Sequence, residues 1–204
     1  KKGYTYEGGI RVPGIIQWPG HVKAGTTSDV PICGVDILPT LCEVAKIPAP
    51  TDRVLDGTSI LPLFEGQTLQ RKRPLYWQFN RSRNEPKVAI RDGEWKLLAR
   101  LDVPTPKPSG SITAEEIKDL KRAQLTGFEL YHVASDIGET TDRSESEREI
   151  FEKMKPQMQE IYAEVQAEAP IWPAWERVGY EGKIIREYYQ QQAEKEKQQK
   201  KKQQ

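Results

Sequence analysis

The chain has 204 residues, a hydrophobic fraction of 36% and a mean hydropathy of −0.73, a polar balance that still allows a modest folded core. Its 31 basic and 30 acidic residues give a formal net charge of +1, so no long-range field favours nucleic acid as a partner. No apolar stretch reaches the roughly 18 residues of a transmembrane helix. The two cysteines, Cys33 and Cys42, are too few for a disulfide framework or a four-ligand zinc site.

Three short elements are predicted in the first third of the chain. Residues 14–18 form an apolar run closed by Pro-Gly, which is typical of a strand that ends in a turn. Apolar residues then recur at helical spacing over residues 37–45, and Asp36 is placed to cap this amphipathic helix. Ser59 is placed to cap a single helical turn that ends at Phe64, with Gly66 as the terminating glycine.

The pattern then becomes strand-like, and four strands are predicted over residues 75–79, 88–91, 95–99 and 128–132. The middle two flank Asp92-Gly93-Glu94, and Asp-Gly at this place favours a hairpin whose two central residues both take positive φ. A small antiparallel sheet is therefore expected. Residues 102–126 form an insertion between the third and fourth strands, with a charged helical stretch from Thr113 to Gln124.

The last apolar periodicity runs through residues 150–165 and predicts a helix lying across one face of that sheet. Ser144 and Glu147 have the spacing of a capping box at its start. Pro156 is expected to kink this helix or to begin a second one, because proline removes a backbone donor. The fold class expected for this chain is α+β.

The period changes from helix-like to strand-like after residue 70, and the end of the chain differs in composition. The chain is therefore divided into three parts: residues 1–70, residues 71–170 with the insertion 102–126, and an extension over residues 171–204. The final fifteen residues hold seven Gln, five Lys and two Glu. Such a tail buries too little apolar surface to offset its chain entropy and is expected to be disordered or a fraying helix. A partner-binding role for the tail is the alternative.

Most catalytic signatures are missing from the sequence. Neither histidine has a partner at metal-ligand spacing, no serine or cysteine sits in a nucleophile elbow, and there is no glycine-rich phosphate loop. Composition and spacing therefore favour an α+β domain without indicating an activity.

The first thirteen residues supply a motif. Residues 2–13 read Lys-Gly-Tyr-Thr-Tyr-Glu-Gly-Gly-Ile-Arg-Val-Pro. This segment resembles the Lys-x-x-Thr-x-Glu-Gly-Gly-x-Arg-x-Pro segment of the sulfatase family, the sulfuric ester hydrolases of the alkaline-phosphatase superfamily. Similar matches follow in order at residues 16–20, 36–41, 56–63, 89–97 and 129–131, so the resemblance extends to about residue 165.

The resemblance implies an α/β parent fold of the alkaline-phosphatase type and an enzyme that hydrolyses sulfate esters, with sulfated carbohydrates as the expected substrates. It implies that residues 1–70 are the end of the catalytic domain and that residues 71–170 are a C-terminal subdomain built on the antiparallel sheet. Sulfatases carry a formylglycine, matured from Cys or Ser in a Cys-x-Pro-x-Arg segment, and an Asp/Asn calcium cage. Neither Cys33 nor Cys42 sits in such a segment. The chain is therefore interpreted as a C-terminal fragment that binds neither cofactor and is inactive alone, its partner being a missing N-terminal catalytic domain. A periplasmic, extracellular or lysosomal location is implied by resemblance.

The resemblance also assigns roles to individual residues. Lys2 would be the catalytic lysine that donates to the substrate sulfate. Thr5 would orient Lys2 or a sulfate oxygen, or serve only as a backbone-turn hydroxyl. Trp77 would approach the substrate cleft or pack in the core, while Glu7 and Arg11 are expected to form an ion pair that fixes the loop.

Two other functions are compatible with the sequence. A phosphate or phosphonate monoester hydrolase would keep the superfamily and change the substrate. A non-catalytic binding module would use the Pro-rich insertion and the Gln/Lys tail to engage a partner.

Overall fold

The computed structural model describes residues 2–106 and 112–170, together with the single positions 187 and 191. The helices are α1 (Glu7–Ile10), α2 (Ile37–Val44), α3 (Leu61–Phe64), α4 (Ala114–Arg122) and α5 (Arg148–Glu168), and a 3₁₀ turn (Gly34–Asp36) precedes α2. The strands are β1 (Leu75–Gln78), β2 (Val88–Asp92), β3 (Trp95–Leu101) and β4 (Leu125–His132). Apart from those two positions, the extension predicted over residues 171–204 lies outside the described residues.

The four strands form one antiparallel sheet in the order β1-β2-β3-β4, which confirms the predicted sheet. β4 begins at Leu125, so the insertion is shorter than expected. Its helix α4 starts with a capping box, in which the Glu116 amide donates to Thr113 Oγ1 at 3.2 Å and the Thr113 amide donates to Glu116 Oε2 at 2.7 Å.

The β2–β3 hairpin is present, but its turn differs from the prediction. Asp92 pairs with Trp95, so the two-residue loop is Gly93-Glu94 and Asp92 belongs to the ladder. Only Gly93 takes a positive φ, at 57°, and Glu94 does not. The turn with two positive φ values is therefore wrong, because the central position after Gly93 holds a residue with a Cβ, for which positive φ is unfavourable.

Helix α5 covers one face of the sheet, as the periodicity predicted. Inward side chains of the strands pack against one stripe of the helix, and the cluster comprises Val88, Ile90, Leu97, Ala99, Leu130, Phe151, Met154, Met158, Ile161 and Tyr162. Alternate residues of a strand point to opposite faces, which explains why Ile90 and Leu97 meet the helix while their neighbours do not. The Met and aromatic stripe is core, as expected.

Two predictions concern the middle and the start of α5. The helix is continuous from Arg148 to Glu168 with Pro156 inside it, so Pro156 does not begin a second helix, and a kink at Pro156 stays a prediction. Core contacts made by Met154 and Met158 on either side hold the helix together, although a proline removes one hydrogen bond and costs about 3 kcal/mol. The capping box predicted from Ser144 and Glu147 at the start of α5 is wrong. Glu147 takes the N-cap position without a side-chain bond, and the Ser144 amide donates to Asp142 Oδ1.

The structure of the N-terminal third of the chain differs more from the sequence predictions. Residues 14–18 form no strand, and Ile15 is 96% exposed, because no described strand lies beside this run to pair with it. Asp36 does not cap α2 with its side chain; its carboxylate accepts bonds from the Cys33 and Thr58 amides and from Arg71. α3 ends at Phe64 as predicted, and Gly66 follows it as the terminating glycine with a φ of +73°.

The second face of the sheet is covered by the chain's own N-terminus. Ala89, Leu98, Tyr131 and Val133 form a small cluster there, and Tyr6 and Trp77 pack against it. This contact places the residues that carry the motif on the central strands. Among the described residues, no helix combines the length and apolar character needed to cross a bilayer.

Candidate functional site

Residues 2–10 form the candidate site, and Lys2 at its start is exposed. The next residue is held in place, since the Gly3 carbonyl accepts a bond of 2.8 Å from the Arg83 amide in the β1–β2 loop. Gly3 has a φ of +93°, a conformation that favours glycine. The Lys2 side chain therefore projects from a backbone that is fixed immediately after it.

Thr5 is 1% exposed and is bonded entirely within the protein. Its amide donates to Asn84 Oδ1 at 3.0 Å, its hydroxyl donates to the Pro86 carbonyl at 3.0 Å, and Asn84 Nδ2 donates back to that hydroxyl at 2.8 Å. These contacts favour the alternative of a structural hydroxyl. A substrate role for Thr5 stays a prediction.

The loop that holds Thr5 is itself organised by a buried lysine. The Lys87 ammonium donates to the carbonyls of Ser82 at 2.8 Å and Asn84 at 2.6 Å, and the Ser82 hydroxyl bonds Asn84 Oδ1. Burial lowers the pKa of Lys87, against the opposing charge of Glu85. Sequence analysis missed Asn84 and Lys87 because their hydrogen-bond partners lie in loops, which leave no periodic signal.

Glu7 is the third anchored residue and is 3% exposed. Its Oε2 accepts from Arg91 Nη1 at 2.9 Å, and its Oε1 lies 3.1 Å from Lys96 Nζ. The predicted ion pair with Arg11 is therefore wrong. Helix α1 is a single turn, and the chain leaves it in extended conformation at Arg11, which is exposed.

A second carboxylate closes this buried cluster. Glu139 Oε1 lies 2.9 Å from Lys96 Nζ, and Glu139 Oε2 accepts a bond of 2.5 Å from the Glu7 amide. Burial raises the pKa of Glu139, and the neighbouring Lys96 ammonium opposes that shift. Glu7 is thus fixed through its backbone and its side chain together.

Tyr6 anchors the segment to β4. Its hydroxyl donates to Glu129 Oε2 at 2.8 Å, and the Tyr131 hydroxyl donates to the same oxygen at 3.0 Å. The two rings meet edge to face, with centroids 6.2 Å apart. Burial and the Glu129 carboxylate raise the pKa of Tyr6, so its phenol stays a neutral donor at physiological pH.

Gly9 and Trp77 complete the description of the site residues. A Cβ on Gly9 would lie 2.2 Å from the Tyr4 carbonyl oxygen, so only glycine fits there. Trp77, for which both a cleft position and core packing were predicted as alternatives, is half-buried against the Ala89 and Leu98 side of the sheet. That placement favours packing, and substrate contact by Trp77 stays a prediction.

The described residues do not suit a calcium cage or a formylglycine nucleophile. Within residues 2–106 and 112–170, no three His, Cys, Asp or Glu side chains come together as metal ligands. Cys42 is buried in α2 and Cys33 is half-buried before it. No step of a reaction is therefore assigned to either group in this chain.

Comparison with known proteins decides the family. The family model described as N-sulphoglucosamine sulphohydrolase, C-terminal, matches residues 1–105, just over half of the chain. The chain belongs to this family of sulfatase C-terminal regions. Steryl-sulfatase of Homo sapiens is 46% identical over 67 residues, which are 33% of this chain and 12% of that protein. Arylsulfatase A of Homo sapiens is 30% identical over 183 residues, which are 85% of this chain and 34% of that protein.

This sulfatase chain thus spans about a third of the length of arylsulfatase A and a smaller share of steryl-sulfatase. Its fold is also found in a solved structure, titled the crystal structure of Ps i-CgsB in complex with k-i-k-neocarrahexaose. The match has a TM-score of 0.53 and 24% identity, and it covers 83% of this chain and 31% of that chain. The likeness supports the α+β arrangement of the sheet and its helices.

Proposed function

We propose that this chain is the C-terminal part of an enzyme that hydrolyses sulfate esters, and that Lys2 contacts the sulfate group of the substrate. The observation that carries the proposal is the geometry of residues 2–7. Lys2 is exposed, while Gly3, Thr5, Tyr6 and Glu7 are each bonded to the sheet or its loops. A cation on a fixed backbone is suited to an anionic ligand.

The chemistry assigned to Lys2 is electrostatic. Its ammonium attracts the negative charge of the bound sulfate, and it stabilises the charge that develops on the leaving oxygen as the S–O bond breaks. The first effect acts equally on ground state and transition state and lowers KM, while the second raises kcat. Loss of one such fixed donor costs about 3 kcal/mol of transition-state stabilisation.

The formylglycine nucleophile and the calcium ion, general for the family, are proposed to come from a part of the enzyme outside this chain.

The exposed apolar side chains of this chain support an interface with such a part. Of the fourteen large apolar side chains exposed among the described residues, twelve lie between Val12 and Val54. An apolar surface of this extent is typical of an interface. We infer that the N-terminal catalytic part covers it and that the isolated chain has no sulfatase activity.

The family description names a sulphated amino sugar, and sulfated carbohydrates are therefore the substrate class proposed. The test uses the full-length enzyme with a sulfated glucosamine and with 4-methylumbelliferyl sulfate as probes. The Lys2→Ala variant is expected to lose about a hundredfold in kcat/KM. Lys1→Ala, which removes the adjacent positive charge, is the matched control and is expected to retain activity.

Three results would contradict this proposal. Hydrolysis of a phosphate monoester in preference to both sulfate probes would make the protein a phosphate ester hydrolase. Equal losses in the Lys2→Ala and Lys1→Ala variants would remove the specific role of Lys2. Turnover of a sulfate probe by the isolated 204-residue chain would show that it is complete without an N-terminal part.

A further inference from the structure

Two cations face each other across the central strands, on the sheet face that carries the N-terminal segment. Arg91 in β2 and Lys96 in β3 are direct cross-strand partners. Like charges directly opposite each other in an antiparallel pair are destabilising. The Glu7 carboxylate resolves this conflict because one of its oxygens binds Arg91 and the other binds Lys96.

The cluster is closed to water and balanced in charge. The side chains of Lys96, Glu7 and Glu139 are 0%, 3% and 1% exposed, and that of Arg91 is 12% exposed. Two carboxylates therefore meet two cations in the protein interior. Removing one partner from such a set leaves an uncompensated buried charge, so the remaining groups must rearrange.

Lys96 connects the carboxylates of Glu7 and Glu139. It pairs with the Glu7 side chain and with Glu139, and Glu139 in turn accepts the Glu7 amide. Lys96 therefore acts on both the side chain and the backbone of Glu7. The sequence places Lys2 five residues before Glu7, at the other end of the anchored segment.

We propose that Lys96 is a positioning residue that sets the place of Lys2 through Glu7. The inference rests on the proposed function of Lys2, although its structural part can be tested apart from activity. When the Lys96 ammonium is lost, Glu7 and Glu139 repel each other and α1 shifts. The Lys2 ammonium then no longer meets the sulfate group at the reacting distance, and displacements near 1 Å cost about a hundredfold in rate.

The structural part is tested by hydrogen exchange in the full-length protein carrying Lys96→Met. The Thr5, Glu7 and Gly9 amides are all hydrogen bonded, so their exchange is measurable. We expect exchange over residues 3–10 to rise at least tenfold, with the β3 and α5 amides unchanged. Lys153→Met is the control. It removes an exposed lysine of α5 that pairs with Asp92 of the β2–β3 hairpin. It should leave exchange unchanged over residues 3–10 and in the β3 and α5 amides.

The functional part is tested by a double-mutant cycle of Lys2→Ala and Lys96→Met, assayed well below the melting temperature. Lys96→Met alone is expected to lower kcat on a sulfate ester at least tenfold. In the Lys2→Ala background it should lower kcat less than twofold, because the group that it positions is gone. A role in stability alone would lower the melting temperature and leave kcat of the folded enzyme unchanged.

Several outcomes overturn the inference. Unchanged exchange over residues 3–10 in Lys96→Met would show that Lys96 does not fix the segment. Equal losses of kcat from Lys96→Met with and without Lys2 would show that it acts elsewhere. If Lys96→Met does not fold, Glu7→Gln keeps the side-chain size and is read by the same two criteria. If Lys2→Ala leaves activity unchanged, the proposed function fails, and exchange alone decides whether Lys96 holds the segment.

Discussion

Thr5 illustrates how much a single residue contributes when its amide and its hydroxyl both form hydrogen bonds in the interior. Its hydroxyl gives one bond to Pro86 and takes one from Asn84, and its amide gives another to Asn84. The motif left two roles open for this hydroxyl: orienting Lys2 or a sulfate oxygen, or serving only a backbone turn. The structure shows that it joins the N-terminal segment to the β1–β2 loop.

Thr5→Val keeps the shape of the side chain and removes both hydroxyl bonds. It should lower the free energy of unfolding by about 1–3 kcal/mol, because Asn84 Nδ2 is left with one partner fewer in a buried site. Chemical denaturation measures the change. Thr26→Val, at an exposed threonine whose hydroxyl donates to the nearby Lys23 carbonyl, should keep the free energy of unfolding within about 0.5 kcal/mol of wild type. Equal losses in the two variants would contradict this account.

Asp36 is the second residue whose partners come from distant parts of the chain. Arg71 binds both of its oxygens at 2.7 Å, and the Thr58 and Cys33 amides donate to it as well. Burial opposes ionisation of Asp36, but these donors outweigh it and hold its pKa below the ordinary value. The ionised carboxylate therefore links α2 to the segments before β1.

Asp36→Asn should cost about 3 kcal/mol at neutral pH, since it breaks a buried ion pair. Because the folded pKa is depressed, this contribution is present above the unfolded pKa near 3.8 and is lost as pH falls through the folded value. The stability gap between wild type and variant should therefore narrow below pH 3.8. Denaturation curves at neutral and acid pH measure it, and a gap independent of pH would refute the assignment.

At the scale of elements, α5 shows a local preference overruled by packing. Pro156 stands inside the helix, yet the helix continues because Met154 and Met158 bury their side chains against the sheet. The same balance explains the missing strand at residues 14–18. There the local pattern favours a strand, but no described strand lies beside it to supply hydrogen bonds.

Pro156→Ala should stabilise the protein, because it restores a backbone donor at an exposed helix position. The gain is expected to be about 2 kcal/mol, the roughly 3 kcal/mol propensity difference less about 1 kcal/mol for the more flexible unfolded chain. Thermal unfolding measures it. Glu160→Ala, at another exposed position of α5, should change stability by less than about 0.5 kcal/mol. A lower melting temperature for Pro156→Ala would show that the proline fits the helix without cost.

At the scale of the whole molecule, both faces of the sheet are covered, while the segment between Val12 and Val54 is open to solvent. The sheet is enclosed between α5 and the N-terminal segment. The residues between Val12 and Val54 leave most of their large apolar side chains in solvent. The proposal of an N-terminal catalytic part accounts for this asymmetry, since such a part would cover the open segment.

Leu41→Lys distinguishes an interface from an ordinary surface. Leu41 is 58% exposed in α2, so in the isolated chain the lysine should change stability by less than about 0.5 kcal/mol. In the full-length protein it should cost about 2 kcal/mol or more, because the ammonium would be buried without a partner. Ile137 is an apolar residue that follows β4 and is 53% exposed. Ile137→Lys is expected to leave stability unchanged in the isolated chain and in the full-length protein. If Leu41→Lys leaves the stability of the full-length protein unchanged, this surface is not part of the interface.

The sequence by itself determined the features that depend on local order: the four strands, the helix across them, the glycine after α3 and the family motif at residues 2–13. Period-two and period-3.6 patterns carry this information because one face of each element must be buried. It also indicated that Glu7 fixes the loop, although it named the wrong partner.

Only the tertiary structure decided which groups meet. Glu7 pairs with Arg91 and Lys96, which are 84 and 89 residues away in the chain. Thr5 bonds to Asn84, and Asp36 to Arg71. Such pairings depend on which loop crosses which sheet face, and no local pattern records that. The observed hairpin register places Arg91 opposite Lys96, and the folded chain puts a carboxylate from its N-terminal segment between them.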